Sequence, residues 1–313
     1  CKMYVGHLMA SLKDHMVFGA SSVGINPYGV AWYELFTYLC QADGGFIGGD
    51  CSGWDISVLF HLTYLFYDYL RVQYKVKDPR LKRILYAIAR TIVGTYFIYG
   101  PKLFRMYRGV ISGHYLTSFF NTFADFCIHN LLFRRYRLSG FKFRTHVRFR
   151  AYGDDNMGKV MKTVQSWYNM QTIRDGFTKF FGMNYTTPGK EEVVKPFLEI
   201  HELEFLSRAF RLLYREDGTL DKVLAPLKLE SIFGMLAWVR KSGTATIEEQ
   251  LQINVDTAMR ELSLYGEIPY NKYSDIILGW ASDSSTQIQV KSFEEVNARV
   301  QDVYYFNDVP IYD

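Results

Sequence analysis

Between His146 and Met161 the chain reads HVRFRAYGDDNMGKVM, and no other stretch restricts the fold as much. HVRFRAY alternates apolar with polar side chains, which is the period of a half-buried strand and not of a helix. GDDN is polar and glycine-led, so it reads as a tight turn, and MGKVM returns as the partner strand. A sheet is therefore required, and it carries two neighbouring aspartates, Asp154 and Asp155, at the tip of a hairpin.

Neighbouring carboxylates in a turn repel each other, and a divalent cation is the usual means of offsetting that. Mg²⁺ takes a few carboxylate oxygens and completes its shell with waters and substrate phosphates; two such ions ~4 Å apart hold the attacking and leaving oxygens of an in-line displacement. Taken alone, Asp-Asp is better read as ordinary turn chemistry. A calcium loop is excluded, because D-D-N-M-G lacks the alternating ligands and the closing glutamate. Gly153 to Lys159 fits G-x-x-x-x-G-K, but Val160 follows where a hydroxyl is needed, and two acids inside a phosphate cradle would repel the phosphates.

The other segments change that balance. GGFIGGD reads as a short buried strand ending at Asp50, which offers a third carboxylate, and the apolar spacing from Asp55 predicts a helix that fades near Lys75. DCSGWD thus sets Asp50 and Asp55 across a strand-to-helix junction. The loop RGVISG opens a helix from about His114 to Arg137, on which Thr117 and Asn121 share a face. Elsewhere the pattern predicts helices at KMYVGHLMASL, at AWYELFTYLC after the GINPYG turn, over Pro79 to Val93 and over Thr163 to Phe181. TYFIY and LFRMY flank Gly100-Pro101 as a hairpin, a strand-like pair is expected around Phe197 and Phe205, and the remainder reads as mostly helical.

Composition sets outer limits. With 49% apolar and 17% aromatic residues the chain buries a large core, which rules out disorder as its main state. Lys and Arg total 36 against 32 Asp and Glu, so affinity for nucleic acid has to come from local basic stretches. The strongest runs from Arg134 to Arg150, on what is either an RNA path or a solvated helix end and strand face. Four scattered cysteines argue against a zinc knuckle or a disulfide scaffold and suit a reducing compartment. The apolar run Leu59 to Leu70 is broken by His61 and Asp68 and falls short of the ~20 residues of a spanning helix.

D-x4-D (Asp50, Asp55), S-G-x3-T-x3-N (Ser112, Gly113, Thr117, Asn121) and YGDD, in this order, resemble motifs A, B and C of the RNA-dependent RNA polymerases of positive-strand RNA viruses. TTPGK is similar to their motif D, FLSRAF to motif E, and APLKLESIFGMLAWVRK to the start of the thumb; the likeness runs from Gly24 to Lys241 and is nearest to picorna-like viruses of the dicistrovirus and iflavirus groups. The resemblance implies that Asp50 and Asp154 bind two Mg²⁺, with Mn²⁺ as a substitute and Asp155 in support. It implies that Asp55 and Asn121 sense the ribose 2′-hydroxyl, the group that separates RNA from DNA. Ser112, Gly113 and Thr117 would handle template and incoming nucleotide, and Lys190 would protonate the departing pyrophosphate, against the plainer reading of a solvated lysine beside Glu191 and Glu192. Arg208 would contact the primer, or else be an ordinary surface charge.

The expected fold is α+β, a right-hand polymerase: a fingers and palm remnant (1–45), palm with motif A (46–75), a fingers insertion (76–107), palm with motifs B to E (108–210) and a helical thumb (211–313). The expected reaction is RNA-templated RNA synthesis in a viral replication cycle, with RNA template and primer, nucleoside triphosphates, a protein primer and other viral replication proteins as partners, in membrane-associated complexes of the host cytoplasm. A reverse transcriptase and a catalytically incomplete RNA-binding fragment are the rival readings. The latter has a basis, because the chain starts at Cys1 inside a helical pattern and shows no basic motif F strand before Gly24; a fragment truncated at its N-terminus is expected.

Overall fold

The computed structural model describes residues 20–306 apart from 74, 111–112, 114–115, 138–139, 240–245 and 285. The helix expected at KMYVGHLMASL lies outside the described residues. The chain forms two compact units, one of Leu39–Leu206 with the stretch up to Gly24, the other of Ile25–Tyr38 with Ser207–Asp313.

The GINPYG turn leads into α1 (Val30–Cys40), and β1 (Gly44–Ser52) follows, running two residues past Asp50. The single helix expected from Asp55 is two, α2 (Trp54–Ser57) and α3 (Phe60–Gln73), because Val58 takes extended angles (φ −58, ψ 137). A neighbouring loop uses the carbonyls at that break: Val110 N–H donates to Asp55 O at 2.9 Å and Gly109 N–H to Val58 O at 2.8 Å. Gly109 sits at φ +85, and a Cβ there would lie 1.9 Å from Asp55 O, so the approach needs glycine. Asp78 caps α4 (Pro79–Ile92) by accepting from Arg80 N–H, and β2 (Tyr96–Tyr99) pairs with β3 (Lys102–Arg105) as the expected hairpin. The long helix α5 (Thr117–Tyr136), a short turn α6 (Phe143–His146), β4 (Val147–Tyr152) and β5 (Asp155–Met161) complete the middle of this unit.

The helix expected over Thr163 to Phe181 is shorter. Asn169 accepts from Thr172 N–H while its own N–H donates to the Thr172 hydroxyl, a capping box that starts α7 (Met170–Gly176) and stops it extending backward. A π-turn over Phe177–Phe181 closes at Gly182, and β6 (Asn184–Thr186) follows. Around Phe197 the expected strand is a single antiparallel bridge between Leu198 and Phe46, and Phe205 is a fully buried core residue just ahead of the turn at Leu206 and Ser207.

β1, β4, β5 and β6 form one antiparallel sheet in the order β4-β5-β1-β6. Val147, Phe149 and Ala151 of β4 are buried on one face, where His129 of α5 lies 4.7 Å from the Phe149 ring; Arg148 and Arg150 alternate to the other face. Glycines in β1 let aromatic rings lie directly on the strand, Phe197 over Gly45 and Tyr185 over Gly49.

In the second unit the expected all-helical start at Arg211 is instead a hairpin, β7 (Arg211–Tyr214) and β8 (Leu220–Leu224). Its turn is made by Asp217, which accepts from Thr219 N–H, and by Gly218 at φ +80. Helices α8 (Leu229–Leu236), α9 (Ile247–Ser263), α10 (Glu267–Asp283) and α11 (Phe293–Phe306) follow. Leu251, Val255, Ala258 and Leu262 recur every three or four residues on α9 with Met259 beside them, and most of these pack with Ile232, Tyr270 and Ile277 as a core. Burying a side chain of this size contributes about 1.5–3 kcal/mol.

Candidate active site

The hairpin read from the sequence is present and tighter than the GDDN spelling suggested. Tyr152 pairs with Asp155, so the connection is Gly153 and Asp154 alone, with Gly153 at φ +71 as a short hairpin turn requires. Asp154 occupies the turn itself and Asp155 is the first residue of β5. β1 lies beside β5 in a register that pairs Gly49 with Asn156, which sets Asp50 next to the tip, and on its other side Asp50 pairs with Thr186 of β6. Strand geometry therefore brings Asp50 to the aspartate pair from about a hundred residues away in sequence.

TTPGK folds into a turn that aims Lys190 at the same place. Lys190 N–H donates to Thr187 O at 2.8 Å with Lys190 held at φ 64, and its Nζ lies 3.9 Å from Asp50 Oδ2. Asp55 stands on α2, one turn beyond the end of β1. Burial, first, and then the charges of Asp50 and Asp55 raise the Asp154 carboxyl to about 6, against the pull of its own backbone N–H and of Lys190. Burial likewise raises Asp155 to about 7, with Asp50, Asp154 and Glu204 adding to it and the Leu206 N–H opposing it. Asp50, Asp55, Asp154, Asp155 and Lys190 thus share one electrostatic environment.

Ser112 lies outside the described residues. Gly113 is exposed at φ +93, and Thr117 begins α5. Asn121, one turn along that helix, is buried, and its Oδ1 is enclosed without a hydrogen-bond donor among the described residues. Arg208 belongs to the other unit. Its guanidinium is 11% exposed and takes Glu261 in a two-pronged ion pair, both contacts at 2.8 Å, with a further bond to Ala225 O at 2.7 Å. The expectation of an ordinary surface charge there is corrected, since the carboxylate partner is buried with it. Within the basic stretch, Arg144 stacks on Phe126, Arg135 on Phe180, and Arg137 donates to Phe141 O.

Other residues of the site were not singled out in the sequence. Thr122, fully buried on α5, accepts from Gly153 N–H at 2.8 Å and donates to Ser118 O. Asn156 donates to Asp154 O at 3.2 Å and accepts from the Tyr185 hydroxyl at 2.9 Å. Asp125 and His129, both wholly buried, stand 3.5 Å apart beneath them, and His129 Nδ1 meets the Tyr168 hydroxyl at 3.0 Å. The available signal was a polar stripe, Thr122, Asp125 and His129, at helical spacing inside the aromatic run SFFNTFADFCIHN.

Among the described residues no three His, Cys, Asp or Glu side chains converge as a ready-made metal cage. Oxygen donors from a few carboxylates are the set Mg²⁺ accepts when waters and substrate phosphates complete its shell, so the residues fit that ion.

Residues 1–276 match the family model described as viral RNA-dependent RNA polymerase. The replicase polyprotein of Acute bee paralysis virus (strain Rothamsted) is 28% identical over 289 residues, which is 88% of this chain and 15% of that polyprotein. The genome polyprotein of Rice tungro spherical virus (strain A) is 27% identical over 310 residues, 95% of this chain and 8% of that polyprotein. The chain therefore spans a small part of the relatives it matches. A solved Sicinivirus 3Dpol RNA dependent RNA polymerase superposes with a TM-score of 0.73 at 17% identity, over 90% of this chain and 55% of that one, a likeness of fold. With a family match that extends over most of its length, this chain belongs to the viral RNA-dependent RNA polymerase family and has the right-hand polymerase fold.

Proposed function

We propose that the chain is the catalytic portion of a viral replicase that copies RNA from an RNA template, transferring nucleotides at a two-metal site held by Asp50 and Asp154 with Asp155 in support. The observation that carries this reading is the convergence of Asp50, Asp55, Asp154, Asp155 and Lys190 at one end of the sheet. When bound, a pair of Mg²⁺ (or Mn²⁺) ions supplies Lewis-acid stabilisation of the attacking and leaving oxygens. The chain's own contribution is positioning and electrostatics, because phosphoryl and nucleotidyl transfer leave a protein little covalent chemistry to do. A primer 3′-hydroxyl attacks the α-phosphate of a nucleoside triphosphate and pyrophosphate leaves. Lys190, exposed and beside Asp50, would give the leaving group its proton.

Asp55 and Asn121 would select ribose, and the enclosed Oδ1 of Asn121 supports that role, since an acceptor without a donor among the described residues suits a hydroxyl from a ligand. Ser112, Gly113 and Thr117 would guide template and nucleotide. The same reading places the palm at 46–75 and 108–210, the fingers insertion at 76–107 and the thumb at 211–313. Template, primer, nucleoside triphosphates, a protein primer and further viral replication proteins are its proposed partners, and membrane-associated complexes of the host cytoplasm its proposed location. Among the described residues no helix is long and apolar enough to cross a membrane.

The test is primer extension by the polymerase containing this chain. With Mg²⁺ and a primed RNA template it should incorporate ribonucleotides far better than its Asp154→Asn variant, and equal rates would end the catalytic reading. Preference for deoxyribonucleotides on the same template would transfer it to the reverse transcriptases.

A further inference from the structure

The turn that carries Asp154 is held from two sides by buried side chains. On one side the hydroxyl of Thr122 accepts the Gly153 N–H at 2.8 Å and is itself fixed by donating to Ser118 O at 2.8 Å, one helical turn back. On the other side Asn156 Nδ2 donates to Asp154 O at 3.2 Å. Asn156 is locked in turn, because Tyr185 donates its hydroxyl to Asn156 Oδ1 at 2.9 Å. Thr122 and Asn156 have no solvent exposure, and Tyr185 is 1% exposed. The Tyr185 ring reaches Asn156 only because Gly49 lies beneath it: a Cβ on that residue would stand 2.3 Å from the ring. Side chains of α5 and β5 thus bond the peptide groups of one turn, and β6 holds the second of these side chains through Tyr185.

We propose that Thr122 and the Tyr185–Asn156 pair are positioning residues whose hydrogen bonds fix the Gly153–Asp154 turn and so set the carboxylate of Asp154 where a divalent cation takes it. This rests on the two-metal reading above and deepens it. A two-residue turn at the end of a hairpin has free edges, and a displacement of about 1 Å at such a site costs on the order of a hundredfold in rate. Groups that orient a ligand from behind typically alter metal affinity by about 10–100-fold when removed. The plainer account is that these bonds only satisfy polar groups that burial would otherwise leave unpaired. The two accounts part on metal affinity: the plainer one moves stability alone.

The test is Mn²⁺ binding, read by the paramagnetic resonance of the free ion, on the polymerase containing this chain, with thermal unfolding measured beside it. Wild type, Asp154→Asn, Thr122→Val, Thr122→Ser and Tyr185→Phe are compared well below their melting temperatures. Thr122→Val keeps the shape and loses the hydroxyl, Thr122→Ser keeps the hydroxyl, and Tyr185→Phe removes only the donor to Asn156. The expected result is an affinity about tenfold weaker in Thr122→Val and Tyr185→Phe and within twofold of wild type in Thr122→Ser. Wild-type affinity in Thr122→Val and Tyr185→Phe overturns the proposal, whatever happens to their melting temperatures. If Thr122→Val does not fold, Tyr185→Phe decides by the same criterion. If Asp154→Asn binds Mn²⁺ as well as wild type does, the two-metal reading itself fails and the positioning role falls with it.

Discussion

The backbone N–H of Leu206 donates to Asp155 Oδ2 at 2.6 Å and commits one oxygen of that carboxylate to the protein itself. The turn that offers this N–H is strained, with Leu206 at φ 56 and Ser207 at φ 59, a backbone region that costs a non-glycine residue about 1–3 kcal/mol. Asp154, by contrast, stands in the turn between the strands, and burial raises its carboxyl less, to about 6 against about 7 for Asp155. The two acids of the pair are therefore unequal.

Asp154→Asn should lower single-turnover nucleotide incorporation by on the order of 10²–10³-fold or more, as loss of a main electrostatic contact does. Asp155→Asn should cost less, because the amide oxygen still accepts from Leu206. A rate for Asp155→Asn below that of Asp154→Asn would reverse the assignment.

The buried pair beneath the site gives a pH signature. Burial pushes the Asp125 carboxyl well above its ordinary range, and the charges of Asp154 and Asp155 push it further, while burial lowers His129 to about 3. Burial thus disfavours the charged form of both groups in the folded chain. A carboxyl raised on folding stabilises fully below about pH 4, and stability is then lost with rising pH, by at most about 1.4 kcal/mol per unit. His129 acts in the opposite sense: its depressed value favours the fold above about pH 6.5, and that advantage is lost as pH falls toward 3. The two slopes oppose each other between about pH 4 and 6.5. Asp125→Asn removes one of them, so its stability relative to wild type should improve steadily from pH 5 to pH 7. Urea unfolding at pH 5, 6 and 7 measures this, and a stability of the variant relative to wild type that stays flat or falls with pH would show Asp125 ionised in the fold.

The hairpin, the third carboxylate on β1 and the helical spacing of α3, α4 and α5 were legible because each is a local repeat of apolar and polar residues. The break at Val58 was not, because loop donors from Gly109 and Val110 take the carbonyls that helix continuation would have used. The early stop before α7 depends on the reciprocal bonds of Asn169 and Thr172, which override a helical pattern that runs straight through them. The hairpin β7–β8 carried its Asp-Gly turn in plain view at Asp217 and Gly218, and the helical cast of the surrounding sequence masked it. Thr122, Asn156 and Tyr185 act through bonds between elements far apart in the chain, and no periodicity records such pairs.

Gly49 supplies a third prediction. An alanine Cβ would lie 2.3 Å from Tyr185 Cζ, 2.4 Å from its hydroxyl and 2.6 Å from Thr186 O. The last of these is backbone, so the neighbour cannot simply swing aside. Gly49→Ala should destabilise the fold by about 1–3 kcal/mol, the usual cost of overpacking, and shift the Tyr185 hydroxyl away from Asn156. Urea unfolding gives the first quantity. An unchanged midpoint would show that the strand and the ring separate at no cost.

Arg208 and Glu261 supply the last. Their side chains are 11% and 3% exposed; the Tyr28 hydroxyl also donates to Glu261, and the guanidinium lies over the Tyr28 ring at 5.1 Å. Glu261, set between Arg208 and Tyr28, ties residues of the 25–38 segment to α9 within the second unit. Removing one partner strands a buried charge, which typically costs about 3–5 kcal/mol, whereas replacing both by apolar residues of similar volume is often close to neutral. Arg208→Leu should therefore be strongly destabilising, and Arg208→Leu with Glu261→Leu should recover most of the loss. Affinity for a primed RNA template, measured on the recovered double variant, separates this role from primer contact. It is expected within about twofold of wild type, because a guanidinium held by a carboxylate has little charge left to offer a phosphate; a tenfold loss in a variant of restored stability would give Arg208 a direct place on the primer.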